Sequence, residues 1–538
     1  MRSHFRFRSS SKTSLQVLIV ASLFVLIGCA LQWWRMQTLN ASMDQGILYQ
    51  ILWNTINGHP FESTLSSQLS AAVQHNGDLP RIGYQRLGQH FTPLLIVWLP
   101  LIQLMGKWAL PFLQVILISF AGLILYKLAR QRLDQNLSAM LTYSFYGANA
   151  VIGPCLGNFT DLCQLPFLAF ALILGIEKKD KWLILITAIA IPLIREDTGV
   201  VLMGIGFWLG FKDQSRLKLA ALLIIYGGIW VLFVTNILMP LFSDDNSKRF
   251  MVENFGQYLK GGNQASSFEV LGLVVQQPFL FFKEIFTPFD KTLKYILGQS
   301  LPLAFIPFLS LDILFLIGLP LLGLLLAQGN PLAINWRYTY LVVPGLFSGA
   351  IFWWDNNRQL FKTKVFRRIW SGCIVLSLIF TISSNPNGTL SFLIPQSINP
   401  FVYRSPMEQL EHGRIAREMI STIPDDSSIA ATNTLIPHLA NREVLIRFPS
   451  IYKYTDRSGK VKLVDWIAID FPYHRRSAHV FKKHKRDLKE LIKDIDLIQA
   501  NYSIKELEDG IMLFKLESIK NPEAEKKLKS ILNEAVLL

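Results

Sequence analysis

Apolar runs separated by short polar loops recur between residues 15 and 384. A helix of about 20 such residues crosses a hydrocarbon core of ~30 Å, so the pattern predicts a polytopic α-helical membrane protein. The expected crossings are 15–34, 110–126, 138–154, 162–176, 182–195, 198–211, 217–240, 292–309, 311–327, 337–354 and 368–384, about eleven in all. Beyond residue 403 the pattern changes to short alternating strands and amphipathic helices. The segment MEQLEHGRIAREMISTIP has helical spacing, and EVLIRFP and VDWIAID read as strands. Residues 480–497 form a charged amphipathic helix, followed by a hairpin turning at Glu508-Asp509-Gly510. Two regions follow: a membrane module over 1–400 with a large first outer loop at 36–90, and an extracytoplasmic α/β domain over 401–538.

Charge orients the spans. The loops at 127–132, 177–181, 212–218 and 355–368 are basic, as is the N-terminal MRSHFRFRSSSK. Cytoplasmic loops carry the Lys/Arg excess, which places these five segments inside. Residues 36–80 contain no Lys or Arg and fit outside, as does the loop around 153–161. The crossings between 89 and 127 must then be odd in number. We therefore expect 91–105 to lie at the outer surface and 110–126 to cross. The segment 268–286 carries Lys283 and Glu284 and is expected along the surface. No small-residue cleavage pattern follows the first run, which ends in Trp33 and Trp34, so it reads as an uncleaved span. The expected location is a bacterial inner (plasma) membrane, N-terminus cytoplasmic and C-terminal domain extracytoplasmic.

Composition agrees: 51% of the 538 residues are hydrophobic and 17% charged, against about 25% charged in soluble chains. The net charge of +15 sits largely in the short loops. It reads as a topology signal rather than a nucleic-acid surface. The four cysteines show no CxxC or Cys/His spacing, so neither a zinc site nor a disulfide framework is indicated.

Ionisable residues against the membrane cost about 2.5–3.5 kcal/mol each on insertion scales, so they need a reason. Four groups stand out at the outer face. Asp44 directly follows the first span; it is either a helix-dipole partner or a general base. His90 precedes an interfacial apolar helix as a hydrogen-bonding or substrate-binding group. Arg195-Glu196-Asp197 interrupts two apolar runs, either as a self-neutralising turn or as the lining of a polar cavity with an arginine for phosphate. Arg337-Tyr338 opens a span, as an interfacial anchor or as a phosphate clamp. The expected roles are catalytic for Asp44, Glu196 and Asp197, and substrate-binding for His90, Arg195, Arg337 and Tyr338, with no metal site.

MDQGILYQILWNTINGHPF, HFTPLLIVWLPLIQL followed by LPFLQ, REDTGV, RYTYLVVPG and IPDDSSIAATNTLIPHLANREVLIRFP resemble, in that order, the bacterial membrane family of domain of unknown function 2079. That family resembles the GT-C glycosyltransferases: multi-spanning enzymes with a large first outer loop and an acidic residue after the first span. The resemblance implies a sugar donor on a polyprenyl-phosphate carrier, an acceptor hydroxyl and transfer usually with inversion. Asp44 matches the position of the acidic base, and Arg195 and Arg337 match the lipid phosphate by location. Gln45 stands where a second acidic residue often occurs, which leaves a divalent metal open. No organic cofactor is implied. Membrane lipid and a polyprenyl-phosphate-linked sugar are the expected partners, with the acceptor unassigned and no nucleic acid. The alternatives are a transporter or lipid flippase using Arg195-Glu196-Asp197 as a coupling site, or a non-catalytic assembly factor.

Overall fold

The first helix, Ser11–Gln37, is apolar on every side but buries only a stripe. Val17 and Ala21 pack inward, while Leu15, Leu18, Ile19, Leu23, Leu26 and Ile27 stay exposed. Such an apolar rim is what lipid would cover. The computed structural model describes residues 11–243, 246–259, 265–327, 331–478, 480–519 and 521–536. Among them, four helical stretches are long and apolar enough to cross a membrane: Lys12–Gln37, Pro93–Ala129, Gln214–Phe242 and Lys364–Ser383.

The other expected spans are shorter or interrupted. Lys181–Ala190, Gly199–Lys212 and Leu311–Leu326 are apolar helices of fewer than 18 residues. The expected span 138–154 divides into Gln135–Tyr146 and Asn149–Cys155. The expected span 292–309 is not one helix. Phe289–Ser300 gives way to two 3₁₀ turns, with Ala304 and Phe305 in the left-handed region. Pro302 and Pro307 lack the amide hydrogens that a continuous helix would use. Between 93 and 129 the chain bends at Gly106, whose φ of +55° suits glycine. The break falls between the expected surface segment and the expected crossing.

Three parallel helices give the module two ends. Ala109–Ala129, Leu165–Lys178 and Val343–Phe361 finish near one cluster of ion pairs. There Arg132 meets Glu177 at 2.8 Å and Asp355 at 2.9 Å, and Arg358 also pairs with Asp355. All of these come from the basic loops. The same helices start at the opposite end, beside the C-terminal domain and the ionisable residues described below.

The C-terminal domain holds a mixed five-stranded sheet in the order β2-β1-β5-β7-β6. The strands are β1 (Ile429–Ala431), β2 (Leu445–Arg447), β5 (Trp466–Asp470), β6 (Tyr502–Glu508) and β7 (Ile511–Leu516). A separate hairpin joins β3 (Lys453–Thr455) to β4 (Val461–Leu463). β1 is parallel to β2 and β5, while β7 is antiparallel to β5 and β6. The helix Lys482–Ile498 places Leu488, Leu491, Ile495 and Ile498 in the core. The hairpin β3–β4, the helix Phe471–Ser477 and the final helix Pro522–Val536 go beyond the elements expected from sequence.

The segment 36–90, expected as the first outer loop, is built into this domain. β2 is an edge strand, and edge strands need covering. Thr64 Oγ1 donates to the Leu445 carbonyl at 2.8 Å and accepts its N–H at 3.0 Å. Gln68 bonds both backbone groups of Arg447, at 2.8 and 2.7 Å. Close backbone approach tightens the seam elsewhere. A Cβ at Gly413 would overlap the Gln37 carbonyl oxygen, and one at Gly46 would overlap the Ile436 side chain.

Candidate active site

The helix Met43–Ile56 opens with Asp44 in its first turn, where the helix dipole favours a carboxylate. Ser42 forms no side-chain cap on it. Instead, the Asn433 side chain of the C-terminal domain accepts the Met43 N–H at 2.8 Å. Asn158 donates to Ser42 Oγ at 2.6 Å and accepts from the buried Arg35 at the end of the first helix. Gln45 accepts the Phe159 N–H at 2.7 Å. Asp44 is thus set by three separate stretches: the first helix, the 153–161 loop and the C-terminal domain.

Asp44, Arg86, His90 and Arg337 line one cavity of about 820 Å³ of free volume, mouth included. Arg337 comes within 3.5 Å of the half-exposed Asp44 carboxylate. Arg86 reaches Ser66 Oγ and Gln89 Oε1, each at 3.3 Å, and its buried Nε has no partner among the described residues. Burial pushes the Arg86 guanidinium below its ordinary pKa; nearby Arg337 adds to this, while Asp161 and Asp44 oppose it. His75 and Glu253 face each other at 3.5 Å in the same lining.

The remaining sequence-predicted residues stand behind this wall. Glu196 takes His90 Nδ1 at 2.9 Å with one oxygen and accepts the Phe91 N–H at 2.9 Å with the other. Burial alone would raise its pKa, but His90 and Arg195 bring it below the ordinary carboxylate value. Arg195 is buried and forks onto Asp197, Nε to Oδ1 at 2.8 Å and a terminal nitrogen to Oδ2 at 2.5 Å. The Tyr338 ring is shared by two guanidiniums, with Arg195 Cζ at 5.4 Å and Arg337 Cζ at 5.6 Å from its centre. All seven predicted residues therefore join one network, but Glu196, Asp197, Arg195 and Tyr338 do not line the cavity. The expectation that Glu196 and Asp197 are catalytic meets carboxylates already engaged in holding His90 and Arg195.

Sequence reasoning missed three members. Arg86 sits in a polar loop with no hydropathic contrast around it. Arg35 directly follows the expected first span, yet its Nε and one terminal nitrogen are buried and without partners among the described residues. Asp161 is buried, accepts from Thr160 Oγ1 at 2.9 Å and lies under the cations. Burial works to raise its pKa, but Arg195, His90 and Arg337 together hold it below the ordinary value. Its signal was an acidic residue in a loop bounded by two apolar runs. Among the described residues, no group of three or more His, Cys, Asp or Glu side chains is arranged to hold a metal ion.

The family model of predicted membrane protein DUF2079 matches residues 35–513, nearly the whole of this architecture. The chain belongs to the DUF2079 family. That match includes the cavity, the 153–161 loop and most of the sheet of the C-terminal domain, ending inside β7. No curated protein matches the chain in sequence. Among solved structures, it is similar to the archaeal oligosaccharyltransferase AglB from Archaeoglobus fulgidus, in complex with an inhibitory peptide and a dolichol-phosphate. Identity is 13%, coverage is 92% of this chain and 73% of that one, and the TM-score is 0.43.

Proposed function

We propose that this protein is a membrane glycosyltransferase that moves a sugar from a polyprenyl-phosphate carrier to an acceptor hydroxyl at the outer face. The observation that carries the reading is the facing of Asp44 and Arg337 across 3.5 Å in a cavity that also holds Arg86 and His90. A carboxylate beside two guanidiniums suits a substrate bearing a phosphate next to a hydroxyl that must lose a proton.

In this reading the donor phosphate takes over Arg337, with Arg86 alongside, and frees the Asp44 carboxylate. Asp44 accepts the proton of the acceptor hydroxyl. The hydroxyl oxygen attacks the anomeric carbon, the bond from that carbon to the phosphate oxygen breaks, and the phosphate leaves with the electron pair. The guanidiniums stabilise that departing charge. Glu196 positions His90, and Asp197 positions Arg195 against Tyr338. These act through their neighbours rather than on the substrate.

The test is reconstitution of the protein in liposomes with polyprenyl-phosphate sugars carrying a labelled sugar. Support is label that leaves its carrier only when protein is present, and at least ~10-fold more slowly with R337Q, the scale of one lost charge-assisted hydrogen bond. Movement of intact donor across the bilayer without cleavage would overturn the reading in favour of transport.

A further inference from the structure

A second cavity lies at the seam between the end of the first helix and the C-terminal domain. Thr38 and Asn40 line it from the membrane module; Arg404, His412, Asp470 and Arg476 line it from the domain, around about 610 Å³ of free volume. The acids here are committed. Asp470 is buried, accepts from Thr434 Oγ1 at 2.7 Å and from the Tyr473 N–H at 3.1 Å, and faces His412 Nε2 at 3.3 Å. The other His412 nitrogen faces Asp509 at 2.5 Å.

The arginines are not committed. Among the described residues, Arg404 donates only to the Glu408 carbonyl, at 3.3 Å. Arg476 has no hydrogen bond or ion pair to a described residue. A guanidinium carries five N–H donors, so most of the ten in this pocket are unfilled. Burial pushes both groups below the ordinary arginine pKa, and in Arg476 the charge of Arg404 adds to the effect; Asp470, Asp509 and Glu408 oppose it at both, and Arg476 comes to about 10. Two half-buried cations sharing one wall call for a ligand that is anionic and has several acceptor oxygens. Phosphate fits the planar fork of each guanidinium.

We propose that this seam pocket is a second anion site, in which Arg404 and Arg476 bind a phosphate group. The group belongs either to a membrane lipid headgroup or to a soluble phosphorylated molecule. Because Thr38 and Asn40 form the facing wall, an occupied pocket ties the domain to the end of the first helix. The proposal stands independently of the chemistry assigned to the Asp44 cavity.

The experiment uses full-length protein in an R337Q background, so that the Asp44 cavity contributes equally to every sample. Thermal unfolding followed by tryptophan fluorescence is titrated with inorganic phosphate in detergent, against chloride at equal ionic strength. A second arm uses nanodiscs of phosphatidylcholine, with or without the anionic lipid phosphatidylglycerol, in phosphate-free buffer. The expected result is a rise in the midpoint that R404Q/R476Q weakens at least ~10-fold in apparent affinity. A response to free phosphate assigns a soluble ligand, and a response to phosphatidylglycerol alone assigns a lipid headgroup. If the double variant does not fold, R476Q alone carries the comparison. Equal responses with and without the arginines, or no response in either arm, overturn the proposal.

Discussion

Glu196 divides its carboxylate between His90 Nδ1 and the Phe91 N–H, both at 2.9 Å. One buried side chain therefore fixes both the ring that faces the cavity and the backbone that follows it. E196A would leave the Phe91 N–H and the imidazole without that acceptor, at a cost of about 1–3 kcal/mol. E196Q retains an oxygen for Phe91 but presents no anion to His90. Thermal unfolding should show a clear loss for E196A and a smaller one for E196Q. Equal stability of all three proteins would show that the Glu196 bonds hold nothing in place.

The seam should be sensitive to acid through His438. Its Nε2 lies 3.1 Å from the Met36 carbonyl and its buried Nδ1 has no partner among the described residues, an arrangement for neutral imidazole. Burial, with Lys107 and Arg417, lowers its pKa to about 3 in the folded protein; unfolded histidine titrates near ~6.5. Above that value the ring is neutral in both states and the full stability is present. Below it only the unfolded chain takes up the proton, so stability falls by up to ~1.4 kcal/mol per pH unit until the folded value is reached. Unfolding midpoints between pH 7 and 5 should fall more steeply for the wild type than for H438Q. Parallel curves would contradict this.

The two ends of the bundle predict opposite accessibility. The cluster of Arg132, Glu177 and Asp355 gathers the basic loops, whereas Ser458 sits in the hairpin of the C-terminal domain. In a background without the four native cysteines, S458C should react with a membrane-impermeant maleimide in intact spheroplasts. K179C should react only after lysis. The reverse pattern would invert the orientation, and labelling of both would end the two-sided topology.

The parts of the fold legible in the sequence were those where pattern and punctuation agree. The turn at Asp509-Gly510 carries a glycine at a positive φ and the amphipathic helix over 480–497 a periodicity change, while the break near Gly106 followed from the charge of the loops on either side. The 292–309 stretch misleads because its composition is mostly apolar, and hydropathy alone does not register the cost of Pro302 and Pro307 to a helix. The β3–β4 hairpin was hidden in a charged segment, although Asp456-Arg457-Ser458-Gly459 is a turn signal.

In the site, charges flanked by apolar runs were visible because insertion energetics makes them costly. Arg86 was not, since a polar loop carries no such contrast. The division of labour was also hidden: it takes the folded structure to bring Glu196 and Asp197 behind the wall that Asp44, His90 and Arg337 form.

The central claim is that Asp44 takes a proton during transfer, and D44N tests it most directly. Donor binding and transfer of the labelled sugar are measured on the same reconstituted protein. The account predicts that D44N still binds the polyprenyl-phosphate sugar, because Arg337 and Arg86 are untouched, while transfer falls about 10²–10⁴-fold, the usual loss of a general base. Transfer by D44N at the wild-type rate would contradict it.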